Sequence, residues 1–164
     1  MEPIKGDFLF IEISGWNSNI KFSSTHLLPE HERCGVLHGH TYAINAKITG
    51  DVDKNGFIID FTKVKSDLRK IANNLDHKIL IPEKNRFVVI NEKEILIDLK
   101  NKKYIFPKED CVILPLENIT AENLAIYVID QYLKISKLPK NIKSVEIGMD
   151  ESIGQGARII KNIG

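Results

Sequence analysis

Hydrophobic positions along the chain change period several times, and each change marks an element. FLFIEISG (8–15) and NIKFSSTH (19–26) carry strand-type composition, with Gly15 and Asn17 breaking the chain between them. In HTYAINAKITG (40–50), Tyr42, Ile44, Ala46 and Ile48 alternate with Thr41, Asn45 and Lys47. That period of two predicts a strand with one dry face. After a turn at GDVDKNG, FTKVKSDLRKIANNL (61–75) spaces Phe61, Val64, Leu68, Ile71 and Leu75 at helical intervals. A second helix is predicted at 121–136, with Thr120 as N-cap, Glu122 suiting the positive helix start, and Leu124, Val128 and Leu133 on its apolar side. Between the helices, 87–106 reads as a small meander of strands with Asn-Glu and Asn-Lys turns. The ending returns to strands at 142–149 and 156–163.

Without the meander the order is β-β-α-α-β-β. Hairpins at both ends favour a mostly antiparallel sheet with helices on one face, an α+β domain. Neither a repeat nor a linker divides the chain, so one domain over 1–164 is expected, with 83–112 as an insertion.

Composition narrows the class. The 164 residues suffice for a core without disulfide staples, and 43% hydrophobic with 27% charged residues is ordinary for a soluble globular protein. Lys+Arg 23 against Asp+Glu 22 leaves no basic surplus, which speaks against a nucleic-acid binder. Lysine-rich LKNKKY at 98–103 is read as a solvated hairpin edge. No apolar stretch approaches the ~20 residues of a membrane helix, and no signal peptide is expected from MEPIKGDFLF. Cys34 and Cys111 do not make a secreted disulfide framework, so free thiols in a reducing cytoplasm are expected.

The chemistry concentrates in CGVLHGHTY (34–42). Residues two apart on a strand share a face, so His38 and His40 project together, and two imidazoles on one face are half of a metal site. Candidate third ligands are His26, His31 and His77. His26 ends a strand that antiparallel pairing can bring alongside. His31 lies in the charged loop LPEHERC and reads as solvated, while His77 follows Asp76 just after a helix. Three histidines leave the fourth tetrahedral position open, as in a catalytic zinc; Cys34 as a fourth ligand would close the site and make it structural.

HxL at 26–28, CxxxHGHxY at 34–42, GFIIDF at 56–61, LDH at 75–77, TAEN at 120–123 and DES at 150–152 occur together and in order. The set resembles the 6-pyruvoyltetrahydropterin synthase / 6-carboxytetrahydropterin synthase family over roughly residues 8–160. The resemblance implies the tunnelling (T) fold, whose protomers join their sheets into a barrel, usually as trimers stacked into hexamers. It implies that His26, His38 and His40 bind zinc, that Cys34 is the catalytic thiol, and that Asp76 and His77 form an acid/base pair. It further implies that Glu151 grips the pterin ring and Thr120 lines its pocket. Read without the resemblance, Thr120 is only a helix cap, Asp76 a turn residue and Glu151 a surface carboxylate.

The implied substrate is 7,8-dihydroneopterin triphosphate, in a pocket formed between protomers. Zinc would act as a Lewis acid on its side-chain oxygens, while Cys34 and His77 move protons. Adjacent side chains often diverge, so contact between Asp76 and His77 is not assumed. Lys21, Arg33, Lys63 and Arg158 are unranked candidates for the triphosphate. The short Cys34-to-His38 gap resembles the 6-carboxytetrahydropterin synthases that feed 7-deazaguanine synthesis, which release acetaldehyde and triphosphate. The alternatives are the pyruvoyl-forming reaction and a zinc-containing pterin binder without turnover. Ala121, following Thr120, and Gly148-Met149-Asp150, preceding Glu151, depart from the family pattern and are expected to alter the pocket.

Overall fold

The computed structural model describes residues 9–163. Its strands are β1 (Phe10–Ile13), β2 (Lys21–His26), β3 (His38–Gly50), β4 (Lys78–Pro82), β5 (Val88–Ile90), β6 (Glu94–Leu99), β7 (Lys102–Pro107), β8 (Cys111–Leu114), β9 (Ile142–Ser152) and β10 (Gln155–Asn162). The helices are α1 (Phe61–Leu75) and α2 (Ala121–Ile135). A seven-stranded sheet runs in the order β10-β9-β3-β2-β4-β8, with β1 pairing the far half of β3. The N-terminal strand was expected from residue 8, which lies outside the described residues.

The long strand β3 organises the rest. Its Tyr42, Ile44, Ala46 and Ile48 are buried as the alternation predicts, and they join Phe22, Val145, Ile147 and Met149 in one cluster. Onto this cluster α1 packs Val64, Leu68, Ile71 and Leu75, and α2 packs Leu124, Val128 and Ile129. Phe61, expected in the α1 stripe, is 47% exposed because it opens the helix before the stripe reaches the sheet. The Asp60 carboxylate caps α1 by accepting from Thr62 N at 2.7 Å, and Thr120 caps α2 by accepting from Asn123 N at 3.2 Å. No helix among the described residues is long and apolar enough to cross a membrane.

Two strands were not expected. KILIP (β4) lies parallel to β2, and CVIL (β8) lies parallel to β4, so the sheet is antiparallel through its centre and parallel at one edge. Residues 111–112, placed in the insertion by sequence, therefore belong to the main sheet. The three-stranded sheet β5-β6-β7 is the predicted meander. Its Ile95, Ile97 and Phe106 form a second apolar cluster with Leu27, just past β2, and Ile81 of β4. The meander is thus packed on β4 and on the end of β2.

Leu68 is fully buried between α1 and the sheet. Leu68→Ala is expected to cost about 2–5 kcal/mol, read by denaturant unfolding.

Candidate metal centre and its cavity

Strand register assembles the histidines. Antiparallel pairing of β2 with β3 sets His26 directly opposite His38 and Ser24 opposite His40. Ring centroids lie 4.5 Å apart for His26–His38, 5.3 Å for His26–His40 and 5.0 Å for His38–His40. One nitrogen from each ring falls within 4.8 Å of the other two.

Second partners turn the rings. His26 Nδ1 donates to Ile119 O at 2.7 Å, and His38 Nδ1 donates to Val36 O at 2.7 Å. A ligating histidine is commonly held this way through its other nitrogen, which fixes the tautomer. The Nε2 atoms of His26 and His40 are buried without a hydrogen-bond partner. An orphaned buried nitrogen is costly unless something binds it. Burial, and then the neighbouring His38, push the His26 pKa down to about 4. Near neutral pH the ring is therefore uncharged, the form that binds a cation. The donor set and its two orphaned nitrogens fit a metal ion.

Above the rings lies a cavity of about 690 Å³ whose lining includes Cys34, Arg33, Thr120, Glu151 and Gln155. Glu151 Oε1 sits 3.5 Å from His40 Nε2 and 3.9 Å from His26 Nε2, and Gln155 Nε2 donates to Glu151 Oε2 at 3.4 Å. Thr120 lines the cavity while its hydroxyl caps α2. Cys34 shares the cavity, and the described structure groups only the three histidines as a metal cluster.

Asp76 and His77 lie elsewhere. They do touch: His77 Nδ1 is 2.8 Å from Asp76 Oδ2. Asp76 Oδ1 accepts from Ser23 N at 2.7 Å, and His77 N donates to Ser23 O at 2.8 Å, which fastens the pair to β2. His77 adopts a left-handed backbone, φ 56°, where the chain turns from α1 into β4. The Ser23 N–H, and behind it the His77 ring, hold the Asp76 carboxyl below the ordinary carboxylate range. His77 opens on a second cavity of about 580 Å³, lined with Ser23, Thr25, Thr41 and Lys78, and His40 borders both cavities.

Of the four candidate cations, only Arg33 lines the metal cavity. Lys63 is paired with Asp67 at 2.6 Å, Lys21 sits 5.9 Å from the Trp16 ring centre, and Arg158 pairs with Asp150 at 2.7 Å. The departures before Glu151 have a different role from the one expected. Asp150 points to the opposite face of β9 from Glu151, where it also accepts from Trp16 Nε1 at 2.9 Å and Asn45 Nδ2 at 2.8 Å. At Gly148 an added Cβ would meet the Arg158 Nε at 2.5 Å, so the glycine makes room for that guanidinium. Sequence reasoning missed the Ile119 carbonyl, which reaches His26 from 93 positions away, and Gln155, which the β9–β10 hairpin turns back toward Glu151.

A central sheet bearing a three-histidine cluster able to hold a metal ion, with the two helices packed on that face, defines a class of small α+β proteins. The model of the 6-pyruvoyl tetrahydropterin synthase family matches residues 17–161, and the chain belongs to that family. A protein of Methanocaldococcus jannaschii, provisionally named 6-carboxy-5,6,7,8-tetrahydropterin synthase, is 34% identical over 154 residues, 91% of this chain and 94% of that protein. A Pyrococcus abyssi protein with the same provisional name is 31% identical over 129 residues, 77% of each chain. The crystal structure of Plasmodium vivax 6-pyruvoyl tetrahydropterin synthase matches the fold with a TM-score of 0.88 at 24% identity, over 96% of this chain and 99% of that one.

His38→Ala is expected to abolish stoichiometric metal, measured by elemental analysis of the purified protein. Full metal retention would remove His38 from the centre.

Proposed function

We propose that this chain is a zinc-dependent 6-carboxy-5,6,7,8-tetrahydropterin synthase. It would convert 7,8-dihydroneopterin triphosphate with release of acetaldehyde and triphosphate, supplying precursors of 7-deazaguanine bases such as queuosine and archaeosine. The observation that carries the reading is the His26–His38–His40 centre at the base of a cavity shared with Cys34 and Glu151. The three-residue gap between Cys34 and His38 and the provisional names of the two archaeal relatives support the carboxy product.

His26, His38 and His40 hold the metal, which when bound supplies Lewis acidity toward the substrate side-chain oxygens. Glu151 offers its two oxygens to the parallel 2-amino and N3–H donors of the pterin, and Gln155 steadies one of those oxygens. Cys34 takes a proton from a side-chain carbon in the cavity. His77 passes a proton at the other side of the substrate, its ring oriented by Asp76.

Within one chain His77 and Cys34 open on different cavities. The complete site therefore lies between copies, Cys34 of one facing His77 of the next, in a cytoplasmic homo-oligomer built as a dimer of trimers. No nucleic acid or membrane enters this function.

Mass spectrometry of the products formed from dihydroneopterin triphosphate by zinc-loaded protein tests the reaction. Acetaldehyde with a 6-carboxy product is expected. A pyruvoyl side chain would select the triphosphate-eliminating reaction instead, and tight pterin binding without turnover would make the protein a binder. Cys34→Ala is expected to keep zinc and assembly while losing ~10²–10⁴-fold in turnover. Co-refolding that variant with an equally inactive His77→Ala chain should restore part of the activity, because mixed oligomers contain sites with both native groups. No restoration would place both groups in one chain's own site.

A further inference from the structure

The loop between β2 and β3 is closed by backbone hydrogen bonds, although residues 30–33 at its tip are exposed. Leu28 N donates to Cys34 O at 2.8 Å, His31 N to Leu28 O at 3.0 Å, and Gly35 N to His31 O at 2.8 Å. An added Cβ at Gly35 would meet His31 O at 2.6 Å, so the turn admits no side chain there. His31 is exposed, as its charged context suggests, and it also bonds within the turn. Its Nδ1 accepts the backbone N–H of Cys34 at 3.0 Å.

The loop is also held from outside. The meander meets it through the Arg86–Glu30 ion pair, and the Tyr104 hydroxyl accepts from Leu37 N at 3.4 Å. A groove of about 380 Å³ separates the two and contains His31 with Glu30, Glu32, Arg86, Lys100 and Lys102. With Arg33 and the Cys34 thiol on its own loop, these are the charged and titratable groups around the imidazole.

We propose that His31 is a positioning residue for Cys34: its unprotonated Nδ1 fixes the Cys34 backbone and so sets the direction in which the thiol enters the metal cavity. The proposal rests on the reading of Cys34 as the catalytic base. Asparagine presents its Oδ1 in much the same place as Nδ1, so it should hold the turn.

The experiment compares native protein, His31→Ala and His31→Asn, all zinc-loaded. It measures kcat, KM, zinc content, thermal midpoint and the rate of Cys34 alkylation by iodoacetamide, mapped by peptide mass spectrometry to exclude Cys111. His31→Ala is expected to change the Cys34 alkylation rate and lower kcat roughly tenfold, within the ~10²-fold that an ångström of misplacement can cost. KM, zinc and thermal midpoint should stay native. His31→Asn should recover most of both losses. Native alkylation and kcat in His31→Ala would overturn the proposal, as would equal impairment of the two variants. The alkylation readout keeps the two ideas separate: a Cys34→Ala chain with full turnover would refute Cys34 as the base, while alkylation would still report whether His31 places the thiol.

Discussion

The register of three adjacent strands governs this molecule. With β2 paired to β3 at His26↔His38, and β3 paired to β9 at Ala43↔Asp150, four side chains of the candidate site fall on the helix-covered face. They are His26, His38, His40 and Glu151. A slip of one residue would send each to the other face, because side chains alternate along a strand. Burial enforces the register: Tyr42, Ile44 and Ile48 of β3 and Val145, Ile147 and Met149 of β9 are all fully buried on that same face. The hydrophobic effect that stabilises the core thus also aligns the imidazoles. No separate device is needed to bring them together.

The opposite face has its own order. There Asp150 gathers the Trp16 indole, the Asn45 amide and the Arg158 guanidinium around one carboxylate. Asn45 in turn accepts from Gly15 N at 2.9 Å, which ties the turn at Gly15 to the sheet. Neighbouring acidic residues 150 and 151 consequently do unrelated work, one knitting the sheet and the other reaching the metal cavity. Helix α2 links the two halves of the problem differently. The residue before its cap supplies the carbonyl that orients His26, so the entry to a helix is also a wall of the metal centre.

Much of this was legible in the sequence because it is periodic. Alternation in β3 announced both its dry face and the common side of His38 and His40, and the α1 and α2 stripes predicted the helices almost to the residue. The parallel strands β4 and β8 were not legible. KILIP and CVIL are short apolar runs without alternation, and such runs carry no period by which to identify a strand. The bond from Cys34 N to His31 was equally hidden, since nothing in LPEHERC shows that an exposed histidine also accepts from the backbone. The separation of Asp76–His77 from Cys34 follows from where β4 joins the sheet, and that placement is tertiary.

The parallel pairing of β4 with β8 also changes what the intervening meander is. Pro82 leaves the sheet at the end where Leu114 also lies, whereas Cys111 re-enters beside Ile79 at the other end. The chain between them is therefore a return path and not a side excursion. Three strand steps at about 3.3 Å each separate the two ends by roughly 10 Å. A hairpin turn cannot span parallel strands in this way. Anyone trimming this protein to a minimal scaffold must replace residues 83–110 with a bridge that travels the length of β4, or else accept a reversed or missing edge strand.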